Sequence, residues 1–352
     1  MRYKTNFLAN PNILKYIIFL LSIFFLTNSI SNVLVNTYLN YDFLEGGIRI
    51  VKSKHENFHD IYRNVAASQF YQEANEYDCK IINNYLHERH HLRWVSKYIW
   101  QKAYDFTVGF FGQTKFVFDL YKLLIATLIF SSYLCIIFLF DQNKYFKKIT
   151  LPITSFFLII LFLSSSSNVS EINFSVLEFF FISLFFFLVF KKKFIPLFFL
   201  CALAPLNRET GFILPIIYLI IYPTEFKKFL FLVTISVAIY FLANANTIQC
   251  IFTPGFLFTT KPAYETFSDF SFISKLKILF QDYFLYIIIL ILFWNKNILQ
   301  NKLLIIFAIY FFIFLVAAPF QHSILRILFV PTLMLYICRG IDHVLKVGNY
   351  EK

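Results

Sequence analysis

After residue 116 the chain alternates apolar runs with short polar breaks almost to its end. The runs lie at Phe116 to Phe140, Ile149 to Leu163, Ile172 to Phe190, Phe194 to Pro205, Gly211 to Pro223, Phe229 to Ala243, Leu276 to Trp294, Leu303 to Ala318 and Ile327 to Cys338, with an earlier one at Ile13 to Ile30. Crossing a hydrocarbon core of ~30 Å as a helix takes roughly 20 residues, so the pattern predicts an all-α, polytopic membrane protein with about ten membrane segments. Several runs fall short of that length, and two of the shortest are neighbours. Phe194 to Pro205 and Gly211 to Pro223 hold about a dozen residues each, flank the polar break Leu206-Asn207-Arg208-Glu209-Thr210, and are bounded outside by Lys191-Lys192-Lys193 and Lys227-Lys228. Lys and Arg collect on the cytoplasmic side of membrane proteins, so the pair reads as re-entrant: in from the lysine side, a turn at 207–210, and back. That lifts Arg208 and Glu209 to the outer surface or just beneath it. An ionisable group at such depth costs at least ~2.5 kcal/mol unless paired or hydrated, and it marks a working site. The bland alternative is that Arg208 and Glu209 only pair with each other and cap the turn.

The same charge rule orients the rest. Lys144, Lys147, Lys148, the lysine triplet, Lys227, Lys228 and the turn 295–302 fall on one side, while the polar loop Ser164 to Asn168, which lacks Lys and Arg, falls on the other. Residues 1–30 then form an uncleaved first span, since no small-x-small cleavage site follows Ile30. Residues 31–115 are an extracytoplasmic helical loop, 116–338 a transmembrane bundle with a second outer loop at 244–274, and 339–352 a tail, both termini being cytoplasmic. Inside the first loop, Asn64 to Asp78 and Ile81 to Phe106 carry apolar residues at a spacing near 3.6, the second with Trp94 and Trp100 among basic residues. Such helices lie in the membrane interface or form a small cap on the bundle.

Composition agrees. With 59% hydrophobic and 15% charged residues, a soluble globular domain is excluded. The net charge of +12 sits mostly in short loops and ends, where topology accounts for it, so no nucleic-acid partner is expected. Cys135, Cys201 and Cys338 lie in apolar runs as small hydrophobes, and Cys79 and Cys250 share the outer side, where an oxidising compartment allows a disulfide.

Four polar groupings reach that outer face: Asn40-Tyr41-Asp42-Phe43-Leu44-Glu45; His87-Glu88-Arg89-His90-His91-Leu92-Arg93-Trp94; Asn207-Arg208-Glu209-Thr210; and Phe320-Gln321-His322-Ser323 with Arg326. Acid and base groups converging on a lipid-accessible cavity suit a lipid-phosphate-dependent transfer, in which a carboxylate takes a proton from an acceptor hydroxyl and Arg or Lys stabilises the departing phosphate. His87 with His90 or His91 could share a helix face, but no Cys or acidic residue offers matching spacing beyond Glu88, which points to another face. No metal site or other cofactor is predicted, and His91, Arg93 and Trp94 read as contacts to an acceptor or a lipid headgroup.

A first span, an outer loop with an acid soon after the membrane (Asp42), short helices bearing Arg208-Glu209, and a late Arg326 before the Pro331-containing last span together resemble the GT-C membrane glycosyltransferases. The resemblance covers most of the chain as architecture and a handful of residues as motif. It implies transfer of a sugar from a polyprenyl-phosphate carrier to a glycan, lipid or protein acceptor at the outer face of a bacterial cytoplasmic membrane. It also implies Asp42 as the base, Glu45 or Glu209 orienting the acceptor, and Arg208 and Arg326, with His322 or Lys261, holding the phosphate. Two departures stand out. The family's acidic pair is often adjacent, whereas Glu45 is three residues from Asp42, and the large C-terminal soluble domain of some members has no counterpart. An O-antigen-type polymerase or ligase is a rival, although those carry their long loop late in the chain. A transporter or flippase is another; it calls for charges deep at mid-membrane, and the sequence offers almost none, since the main candidate, Glu178, lies near one end of its span.

Overall fold

The structure, a computed structural model, describes residues 115–139, 172–245, 286–294, 298–317 and 330–337, together with 24, 95, 98, 99, 102, 106, 109, 110, 273, 339 and 340. Among these every regular element is helical and none is a strand. The elements are α1 (Lys115–Phe138), α2 (Ile172–Phe190), α3 (Phe194–Asn207), a 3-10 turn (Glu209–Phe212), α4 (Ile213–Ile221), α5 (Phe226–Ala243) and α6 (Ile298–Ala317), with shorter helical stretches at 286–292 and 330–337. Among the described residues one helix, α5, is long and apolar enough to cross a membrane, and only 17% of it is buried. Helices α1, α2 and α6 have 24, 19 and 20 residues. The expected spans 13–30 and 149–163 lie outside the described residues, apart from Phe24, whose ring meets Phe130 of α1 edge-on.

Hydroxyls within these apolar helices turn back on their own backbone. Thr127, Ser132 and Ser183 each donate to the carbonyl four residues earlier, at 2.7 to 2.8 Å. Prolines fall where the backbone tolerates them: Pro196 and Pro215 in the first turns of α3 and α4, whose N–H groups have no intrahelical partner anyway, and Pro223 just after α4. Pro205 is different. It sits inside α3 and leaves the carbonyl of Cys201 without its normal donor. Ser236 of α5 supplies one, its hydroxyl lying 2.7 Å from that carbonyl and 2.7 Å from that of Leu232. Replacing Ser236 by Ala leaves the buried carbonyl unpaired, at an expected cost of about 1–3 kcal/mol read from denaturation in detergent micelles. An unchanged midpoint would show that the proline is compensated elsewhere.

The end of α2 sets the entry to α3. Lys193 N–H donates to Leu188 at 2.9 Å and Lys192 N–H to Val189 at 3.0 Å, the paired bonds of a Schellman motif. That motif wants a left-handed residue at Lys192, and Lys192 has φ 53°. A lysine there is strained by roughly 1–2 kcal/mol. Lys192→Gly should therefore stabilise by about 1 kcal/mol, seen as a raised thermal midpoint; a lowered midpoint would mean that the lysine side chain contributes more than the strain.

Contacts fix how the helices run. Tyr222 Oη donates to Val189 O at 3.2 Å, so α4 returns to the end of α2 from which α3 departs. Phe231 stacks on Phe194 and Phe198, Ser236 reaches Cys201, and Tyr240 meets Phe212, so α5 climbs alongside α3. Lys302 Nζ donates to Ile221 O at 2.6 Å, which starts α6 at the same end and puts a cation on the last carbonyls of α4. Residues 298–302, expected in a turn, are already helical. The amide of Gln300 makes this workable by donating to Phe293 O at 2.7 Å and Tyr336 O at 3.2 Å. Leu139, Phe190, Leu299, Leu303, Leu335 and Arg339 surround one small void there, so α1, α2, α6 and the last helical stretch meet at the lysine-bearing end. Arg339 and Gly340 are helical.

Of the first loop, Val95 and Ile99 pack against the core, while Tyr98, Lys102, Phe106 and Phe110 face outward.

Candidate functional site

The most polar buried point of the described structure is the apex of the α3–α4 hairpin. Arg208 leaves helical geometry, with φ −161° and ψ 143°, and its N–H still reaches Ala204 O at 3.1 Å. The chain then folds straight back. Gly211 N–H donates to Arg208 O at 2.8 Å, and the Gly211 Cα lies against the backbone of Ala204 and Pro205 so closely that a Cβ would stand 2.4 Å from Ala204 C and 2.5 Å from Pro205 N. Only hydrogen fits. The break 206–210, expected as a bare turn, is thus partly a 3-10 turn welded to the last turn of α3.

This turn delivers two donors to one carboxylate. Glu178 of α2 is 4% exposed and Arg208 6% exposed, and Arg208 Nη1 sits 3.2 Å from Glu178 Oε2. Thr210 Oγ1 donates to the other oxygen, Oε1. Asn207 beside them is fully buried. Burying two charges is expensive, and their attraction offsets the cost only when the geometry is good and further hydrogen bonds complete it, which Thr210 helps to do. From Glu178 to Val189 is eleven residues of α2, so the cluster stands about 16 Å above the lysine-bearing end.

Of the residues singled out from the sequence, Arg208 and Glu209 share the apex, Arg208 turned to Glu178 and Glu209 half-buried. Asp42, Glu45, His91, Arg93, Trp94, Lys261, His322 and Arg326 lie outside the described residues, as do the His87 and His90 pairing and Cys79 with Cys250. Among the described residues no group of three or more His, Cys, Asp or Glu is placed to hold a metal ion. Glu178, read from the sequence only as a mid-membrane charge near one end of its span, is the carboxylate on which the apex converges. Its signal was present: it is the single acidic residue in a 19-residue helix that is otherwise apolar or uncharged.

An apolar groove of about 440 Å³ runs beside the apex between α4 and α5, with Phe212, Pro215, Val233, Val237 and Tyr240 among its walls. Comparison with protein-family models, with curated proteins and with solved structures finds no match to this chain.

Proposed function

We propose that this is an integral membrane glycosyltransferase of about ten membrane segments, with cytoplasmic termini and a re-entrant α3–α4 pair, that moves a sugar from a polyprenyl-phosphate carrier to an acceptor at the outer face. The observation that carries the reading is the buried Glu178–Arg208–Thr210 cluster at the tip of two helices too short to span a bilayer. Helix lengths near 20 residues, broad exposure of side chains such as Ile195, Leu242, Ile291 and Ile298, and lysines gathered at one end support the membrane assignment.

In the reaction, an acceptor hydroxyl oxygen bonds to the anomeric carbon while the bond from that carbon to the phosphate oxygen breaks. The hydroxyl proton goes to Asp42, and the electron pair leaves with the polyprenyl phosphate. Glu45 or Glu209 orients the acceptor. Arg208, Arg326, His322 and Lys261 stabilise the phosphate, most effectively where water is excluded. Glu178 holds Arg208 at the apex. The test is transfer from a labelled polyprenyl-phosphate hexose in vesicles containing the full chain. Asp42→Asn should reduce it by about 100-fold or more, and undiminished transfer removes Asp42 from the reaction.

One observation favours a second reading. If the lysine-bearing end sits at the headgroup boundary, a cluster about 16 Å away is past the middle of a ~30 Å core, a depth that suits a transporter. Solute or proton flux through the same vesicles, with no sugar transfer, would select that reading.

A further inference from the structure

We propose that the lysine-bearing end of the α3–α5 face is a binding site for a phospholipid with an anionic headgroup. Lys191, Lys192 and Lys193 close α2, and Lys227 and Lys228 open α5. The two groups are neighbours in space: Lys228 Nζ lies 5.5 Å from the centre of the Phe194 ring, and the charge of Lys192 acts on Glu225. Lys228 is answered by Glu225 at 2.8 Å. That carboxyl is held below its ordinary range by the hydrogen bond from Lys228, then by that from Tyr218, so it stays ionised and keeps Lys228 engaged. Lys191, Lys192, Lys193 and Lys227 have no ion-pair partner among the described residues. Four like charges gathered at one end repel one another and draw a counter-anion.

What stands beside them decides which anion. Ile195 and Phe199 are 72% and 58% exposed, and with Leu203 they form one stripe along α3 at i, i+4 and i+8. Phe231 of α5 stacks on Phe198 next to the stripe and is itself 53% exposed. The stripe begins at the lysines and runs about 12 Å toward the apex. A free phosphate would satisfy the lysines and leave the stripe bare; a nucleic acid would do the same. A diacyl lipid covers both, its phosphate among the ammonium groups and a chain along α3. The inference rests on the membrane assignment above and is independent of the sugar chemistry.

The full chain, reconstituted in phosphatidylcholine vesicles with spin-labelled lipid, should immobilise phosphatidylglycerol with roughly fivefold preference over phosphatidylcholine at low salt, falling toward parity in 1 M salt. Changing Lys191, Lys192, Lys193 and Lys227 together to Gln should bring parity, and changing the same four to Arg should retain the preference. Parity in the unmodified protein overturns the proposal, as does a preference that survives the four Gln substitutions. Where the Gln variant does not reconstitute, the salt titration of the unmodified chain decides, and a preference indifferent to salt is a rejection. Flotation with the vesicles separates the two levels of the argument. A chain that does not float overturns the membrane assignment and this site with it, a chain that floats at parity overturns this site alone, and absent sugar transfer touches neither.

Discussion

Gly211→Ala should destabilise the protein by about 3 kcal/mol and disable the apex, the largest effect expected of any single methyl group in the described structure. Two terms oppose each other. Alanine restricts the unfolded chain and would by itself stabilise by about 0.4–1 kcal/mol. Against that, its Cβ would sit 2.4 Å from Ala204 C, 2.5 Å from Pro205 N and 2.7 Å from Ala204 O. These are backbone atoms of α3, not the movable end of a side chain, so the clash is relieved only by lifting the 3-10 turn off the helix. Steric cost wins. Lifting the turn also shifts Arg208 and Thr210 relative to Glu178, two hydrogen bonds whose length depends on that seat. Chemical denaturation in detergent micelles reads the stability, and amide exchange across 204–214 reads the local opening. A midpoint equal to or above that of the unmodified chain would mean that the close approach does not exist. Gly340, whose added Cβ would come within 2.8 Å of Phe293, provides a comparison away from the apex.

The outline of this apex was legible in the sequence because charge and apolarity are one-dimensional signals. Lys191 to Lys193 and Lys227 to Lys228 bracket two undersized runs, and the short helices Phe194–Asn207 and Ile213–Ile221 follow from that bracketing. The start and end of α2 were equally plain, since polar residues precede Ile172 and lysines follow Phe190. What could not be read was which residues meet. Glu178 and Arg208 are 30 positions apart, and α2 is apolar on every side, so no periodicity tells which face Glu178 occupies. The supply of a donor to Cys201 O by Ser236 is similarly hidden: Pro205 announces an orphaned carbonyl, but its partner lies 35 positions beyond that carbonyl. The helical start of α6 at Ile298 was missed for a related reason. Gln300 and Lys302 look like turn residues until the carbonyls of Phe293, Tyr336 and Ile221 are seen to receive them.

Whether the Glu178–Arg208 pair is there for chemistry or for architecture is separable by a double-mutant cycle. Glu178→Leu and Arg208→Met should each cost about 3–5 kcal/mol, because either one strands a buried charge. The double variant should recover most of that loss, since an apolar pair of similar volume needs no hydration and the helices around it are already apolar. A residual of about 1 kcal/mol is expected from Thr210, which loses its acceptor but is only half-buried. Strongly additive costs in the double variant would show that the two side chains do not stabilise each other. Activity is then measured on the recovered protein. If Arg208 stabilises a departing phosphate, the folded double variant transfers sugar at least about 100-fold more slowly than the unmodified chain, although its stability has returned. If the pair only locks the hairpin to α2, stability and transfer return together. Full transfer by the double variant would remove Arg208 from the reaction and leave the cluster as a structural clasp, while flux that vanishes in the same variant would assign the buried charges to transport.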